Sequence, residues 1–159
     1  MVKRLEIVVP GKSTTTRNTG TANRVIKING HKFQGSGADY VEKLLYSTKC
    51  AMIEQGWELT DKPIYVALIL RRAIVQSHQE TYMGMSKRQR KQALVTLATP
   101  SVENVLRQHL SVLQGVVFNK ISQITSVFVL RLYDDEPRTE IVFGQPETVK
   151  ELLNDVRNL

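Results

Sequence analysis

A single cysteine in 159 residues excludes an internal disulfide, and Cys50 falls in an amphipathic helical pattern where a core or half-buried thiol is the expected role. There is no Cys/His group at metal-ligand spacing, so a structural zinc site is not expected. Aromatic residues make up only 6% of the chain, too few for a platform on which successive bases stack, and Trp57 reads as a core anchor at a helix end. No apolar run approaches the roughly 18 residues needed to cross a bilayer. The basic opening Met1-Val2-Lys3-Arg4 leads into an apolar stretch that stops at Pro10-Gly11, too short for a secretory signal. The cytoplasm is therefore the expected location. Acidic residues are scarce as well: 15 Asp and Glu stand against 22 Lys and Arg, a net charge of +7 with a pI near 9.7. That surplus favours a polyanionic partner, nucleic acid foremost.

What is present suits one domain spanning residues 1–159, since 42% hydrophobic content at this length can bury a core. Residues 4–9 read as a strand, and 10–23 as a Gly/Ser/Thr/Asn-rich loop containing Lys12 and Arg17. A short strand over 24–28 leads to Asn29-Gly30, a pair suited to a tight hairpin. Val41, Leu44, Leu45, Thr48 and Met52 form one side of a helix over 39–55 that Gly56 stops. Residues 64–70 are continuously apolar, as a central strand buried on both faces requires. A polar loop over 75–85 precedes a basic helix over 87–95 that Ser86 can cap. The next helix, 101–114, is expected to bury Val102, Leu106, Leu110 and Leu113 before Gly115 ends it. Residues 124–133 alternate as a strand, Asp134-Asp135-Glu136-Pro137 turns the chain, and 139–143 returns as the hairpin partner. A C-terminal helix over 146–159 carries Val149, Leu152, Leu153 and Val156 at helical spacing, an apolar stripe expected to pack on its own domain.

Two basic clusters stand out, Arg71-Arg72 at the end of the central strand and Lys87-Arg88-Gln89-Arg90-Lys91 on the basic helix. A solvated helix face and a phosphate-binding face both explain the second. His31, His78 and His109 are scattered, and His109 is expected to be half-buried in a structural role. The acidic turn 134–136 reads as a solvated hairpin tip, because turns favour Asp for backbone reasons. It could also supply metal ligands.

The densest pattern runs from Pro100 through Ser101, Glu103 and Asn104 to Gly115-Val116-Val117 and Ser122-Gln123-Ile124. It resembles the RusA-type Holliday-junction resolvases, whose motif reads Lys-Pro-Asp-x-Asp-Asn, an apolar helix, Asp-Ala-Leu-Asn-Gly-Val-Val and Asp-Asp-x-Gln-Ile. Pro100, Asn104, Leu113, Gly115, Val116, Val117, Ser122, Gln123 and Ile124 carry the match. The resemblance covers most of residues 1–143 and leaves 146–159 as an appended helix. It implies a mixed α/β fold, a small mixed sheet packed by helices, together with a homodimer and a basic surface for branched DNA of the four-way type in recombination and repair. Such proteins are common in phages and prophages. The family's four acidic positions fall on Ser101, Glu103, Lys120 and Ile121, so Glu103 alone keeps a carboxylate. Arg107 takes the place of a functional lysine, leaving positive charge beside the site. The nucleic-acid-binding candidates are thus Arg71, Arg72, Lys87, Arg88, Arg90, Lys91, Asn104 and Arg107.

Cutting a phosphodiester by this chemistry needs hydrated magnesium on carboxylate oxygens. A serine hydroxyl is a poor substitute, a lysine ammonium repels the ion, and isoleucine offers no ligand. Ser101 equally suits a helix N-cap, and Glu103 with Arg107 an ordinary surface ion pair. The expectation is a DNA-binding protein whose nuclease activity is lost or impaired and which needs no cofactor. One alternative is an active magnesium-dependent junction endonuclease joining Glu103 to carboxylates from the 134–136 turn or a partner chain. Another is a scaffold repurposed to bind a protein.

Overall fold

The computed structural model describes residues 2–11, 25–73, 88 and 101–159. Its framework is a four-stranded mixed sheet of β1 (Lys3–Pro10), β4 (Ile64–Arg72), β5 (Ile124–Tyr133) and β6 (Arg138–Gln145), in the spatial order β1-β6-β4-β5. A separate hairpin joins β2 (Val25–Ile28) to β3 (His31–Gln34). Among the described residues the full helices are α1 (Ser36–Gln55), α2 (Val102–Leu113) and α3 (Val149–Arg157), with a 3-10 turn at Ile121–Gln123. This is the mixed α/β architecture expected, one small domain.

The first seven residues of β4 are buried, which is why an uninterrupted apolar run occupies the centre. Val66, Leu68 and Leu70 join Leu5, Ile7, Val9, Ile141 and Phe143 in the main core, together with apolar residues of α1 and α2. On the opposite face Tyr65, Ala67 and Val142 meet Phe128 and the α3 side chains Leu152 and Val156. Asn29 (φ 49°) and Gly30 (φ 79°) are both left-handed, as a two-residue hairpin turn of the primed type demands. The Asn29 amide donates to the carbonyls of Ser111 (2.7 Å) and Gln114 (3.0 Å), fastening the hairpin to the C-terminus of α2.

Several expectations are corrected. Residues 139–143 are not the hairpin partner of 124–133: β4 lies between them, parallel to β5 and antiparallel to β6. The turn straddles the end of β4, where the Asp134 N–H donates to Arg72 O (2.9 Å). A strand apolar on both faces needs neighbours on both edges, and β4 gains them by splitting the hairpin. Asp134 is consequently 4% exposed and not at a solvated tip, whereas Asp135 and Glu136 are exposed. On α2 the buried face comprises Val105, His109, Leu110, Val112 and Leu113, while Val102, in the first turn, is 40% exposed. The expected apolar stripe of α3 divides: Leu152 and Val156 pack on the sheet, and Val149 and Leu153 face solvent. That helix starts after Thr148, which forms a capping box with Glu151, and not at Pro146. Helix α1 begins three residues before the expected Asp39. The loop 75–85 and the basic helix 87–95 lie outside the described residues, Arg88 excepted. Among those described, no helix is long and apolar enough to cross a membrane.

Candidate nucleic-acid interface

The candidate site begins at the N-terminus of α2. Ser101, in extended conformation, accepts from the Asn104 N–H (3.3 Å) and so caps the helix. Glu103 lies in the first turn, and its carboxylate accepts from the Arg107 guanidinium one turn later at 2.5 Å. Both side chains are largely in solvent, 76% and 66% exposed, so the pair adds only about 0.2–0.5 kcal/mol to the helix. Asn104 is exposed beside them. The first turns of α2 thus present an acid, an amide and a guanidinium together.

Lys120 and Ile121 follow the other end of α2. That helix has twelve residues, about 18 Å along its axis. Lys120 is exposed, its backbone N–H donating to Gln123 Oε1 (2.6 Å), and Ile121 is 47% exposed. The Gln123 amide donates to the carbonyls of Thr60 (2.8 Å) and Lys62 (3.0 Å), binding the start of β5 to the segment entering β4. Leu113, Val117 and Phe118 are wholly buried, and Gly115 holds φ 81°. Much of the motif from Leu113 to Ile124 therefore builds the fold and presents no ligand.

The arginines of β4 separate by strand alternation. Arg71 lies 3.1 Å from Glu140 and 3.7 Å from Asp134, and Arg138 reaches the same two carboxylates at 2.7 and 3.1 Å. Among the described residues this network joins two cations to two anions, so Arg71 serves the fold at least as much as any ligand. Arg72 points to the opposite face, beside Arg131. Arg131 is 8% exposed, and its pKa is pushed down by burial and then by the like charge of Arg72. Sequence reading did not single out Arg131. Its signal is one cation on the core-facing side of an otherwise apolar strand. Arg88 is helical and exposed; Lys87, Arg90 and Lys91 lie outside the described residues.

His109 is wholly buried, deeper than the half-buried position expected. A ring nitrogen beside a carbonyl must donate, so Nδ1–H bonds Val105 O (2.7 Å) and Nε2 accepts from the Tyr40 hydroxyl (2.7 Å). Burial lowers its pKa to about 4, against a smaller raising effect of the Val105 carbonyl. A neutral, doubly bonded imidazole in the core is a packing element. Among the described residues no three His, Cys, Asp or Glu side chains gather as a metal site. No family model matches the chain, and no curated protein matches it either.

Proposed function

We propose that the protein is a RusA-like DNA-binding protein that recognises branched DNA of the four-way-junction type in recombination and repair, acts in the cytoplasm as a homodimer, and cuts poorly or not at all. The carrying observation is the Glu103–Arg107 pair. At the positions resembling a resolvase metal site, the one remaining carboxylate is already paired with a guanidinium. Ser101 is occupied as a helix cap, while Lys120 and Ile121 supply no anionic oxygen. This donor set does not fit magnesium, which prefers hard oxygen ligands in octahedral array. Arg107, Asn104 and the net charge of +7 still suit phosphate.

The competing nuclease reading borrows carboxylates from residues 134–136, but Asp134 is already paired with Arg71 and Arg138. Binding through phosphates also separates this proposal from a scaffold for a protein partner. Junction affinity measured across a salt series is expected to fall steeply, with a log–log slope of about −0.9 for each phosphate neutralised. An affinity indifferent to salt, or no junction binding at low salt, would reject the DNA reading and favour a protein partner.

A further inference from the structure

The four-stranded sheet ends in two edges, and the chain treats them differently. Along β1 the outer edge is covered at Glu6 by a side chain. The Gln55 amide, at the end of α1, accepts from the Glu6 N–H (2.8 Å) and donates to the Glu6 carbonyl (2.7 Å), as a neighbouring strand would. Strand β1 also carries Lys3, Arg4 and Glu6 and stops at Pro10, which has no N–H to offer. Charge, proline and a covered backbone are the means by which folded proteins keep an edge from pairing with another chain.

Over the first seven residues of β5 the sequence has neither charge nor proline, and no side chain among the described residues covers the outer backbone as Gln55 does at Glu6. Residues 124–130 read Ile-Thr-Ser-Val-Phe-Val-Leu, without charge or proline, in a strand ten residues long whose only strand partner among the described residues is β4. Val127 is 41% and Leu130 45% exposed, and Thr125 is exposed too. A long, neutral, β-branched edge of this kind is a template for strand addition.

We propose that β5 is the interface between two copies of this chain, which pair antiparallel along residues 124–130 about a two-fold axis at Val127 and join their sheets into one of eight strands. This takes up the homodimer of the proposed function and needs none of its DNA chemistry. In this register Ile124 lies opposite Leu130, Thr125 opposite Val129, Ser126 opposite Phe128, and Val127 opposite its own copy. Every facing pair is neutral. Arg131 falls opposite Gln123, so two chains of charge +7 meet along a stretch where no like charges oppose. A two-fold axis requires one patch to complement itself, and this segment satisfies that in charge.

Sedimentation of the full chain over a range of concentrations tests the interface. The wild type is expected to approach twice the 18.0 kDa of one chain. Val127→Lys sets two ammonium groups across the axis and is expected to give a monomer with unchanged far-UV circular dichroism, because the position is exposed. An equal mixture of Val127→Lys and Val127→Glu restores the dimer. Val8→Lys, at a 54% exposed position on β1, leaves the dimer intact. In the wild type, amide exchange of residues 124–130 slows as concentration rises, a readout that needs no variant. A wild type that stays monomeric at every concentration, or a dimer that survives Val127→Lys, would overturn the interface. Junction binding on the same samples keeps the two readings apart: a dimer without junction binding fails the DNA reading alone, and a monomeric wild type that binds junctions fails this interface alone.

Discussion

His109 shows what one buried titratable side chain does to stability. Free histidine protonates near pH 6.5, whereas His109 in the folded chain stays neutral down to about pH 4. Between those values the unfolded chain binds a proton that the folded chain does not, so stability falls as the pH drops from about 6.5 to 4 and this group takes no more below that. The full effect is about 3 kcal/mol. His109→Gln, which cannot titrate, is expected to flatten that part of the profile, as chemical denaturation at a series of pH values would show; an unchanged acid limb would contradict the buried neutral imidazole. At this scale the caps and local pairs were legible in the sequence. Ser101 with Asn104 and Glu103 with Arg107 lie within one helical turn of each other. Asp134 was not, because its burial depends on Arg71, on a strand distant in sequence, as well as on nearby Arg138.

Strand and helix positions were largely readable, but their neighbours were not. The alternation in 124–133 and 139–143 identified two strands joined by a tight turn, and nothing local says that β4 slides between them. Only the two-sided apolarity of β4 hints at it, through its need for a partner on each edge. The packing of α3 is similarly non-local. The Tyr65 hydroxyl donates to the Asp155 carboxylate, and burial with that bond raises the phenol's pKa. Arg4 lies 3.5 Å from the same carboxylate. The Tyr65 ring lies over Gly144, its neighbour on β6, where a Cβ would overlap the ring. Gly144→Ala must therefore displace Tyr65 and loosen α3, at a cost of about 1–3 kcal/mol. Thermal unfolding together with proteolysis of the C-terminal segment measures this. A Gly144→Ala protein as stable and as protease-resistant as wild type would show that Tyr65 does not hold the helix.

For the whole molecule, composition points to a class of partner more readily than to a chemistry. A charge of +7 suits a polyanion before any fold is known, and the proposed likeness to the resolvases, which leaves Glu103 as one carboxylate of four, implies weak magnesium binding before any geometry is known. The sequence could not show that Arg131 stands beside Arg72 on the core side of the sheet. It also gave no sign that Gln55 covers the outer edge of β1 at Glu6, while among the described residues β5 has β4 as its only strand partner. These depend on contacts that the folded chain creates. The central claim, junction recognition without efficient cleavage, is tested most directly on a labelled four-way junction beside a matched linear duplex, with magnesium or manganese, comparing wild type with Glu103→Ala. The expected result is a junction-selective mobility shift in both proteins and no cut strands. Symmetric nicking by the wild type that disappears in Glu103→Ala would contradict the account and make Glu103 part of a working metal site.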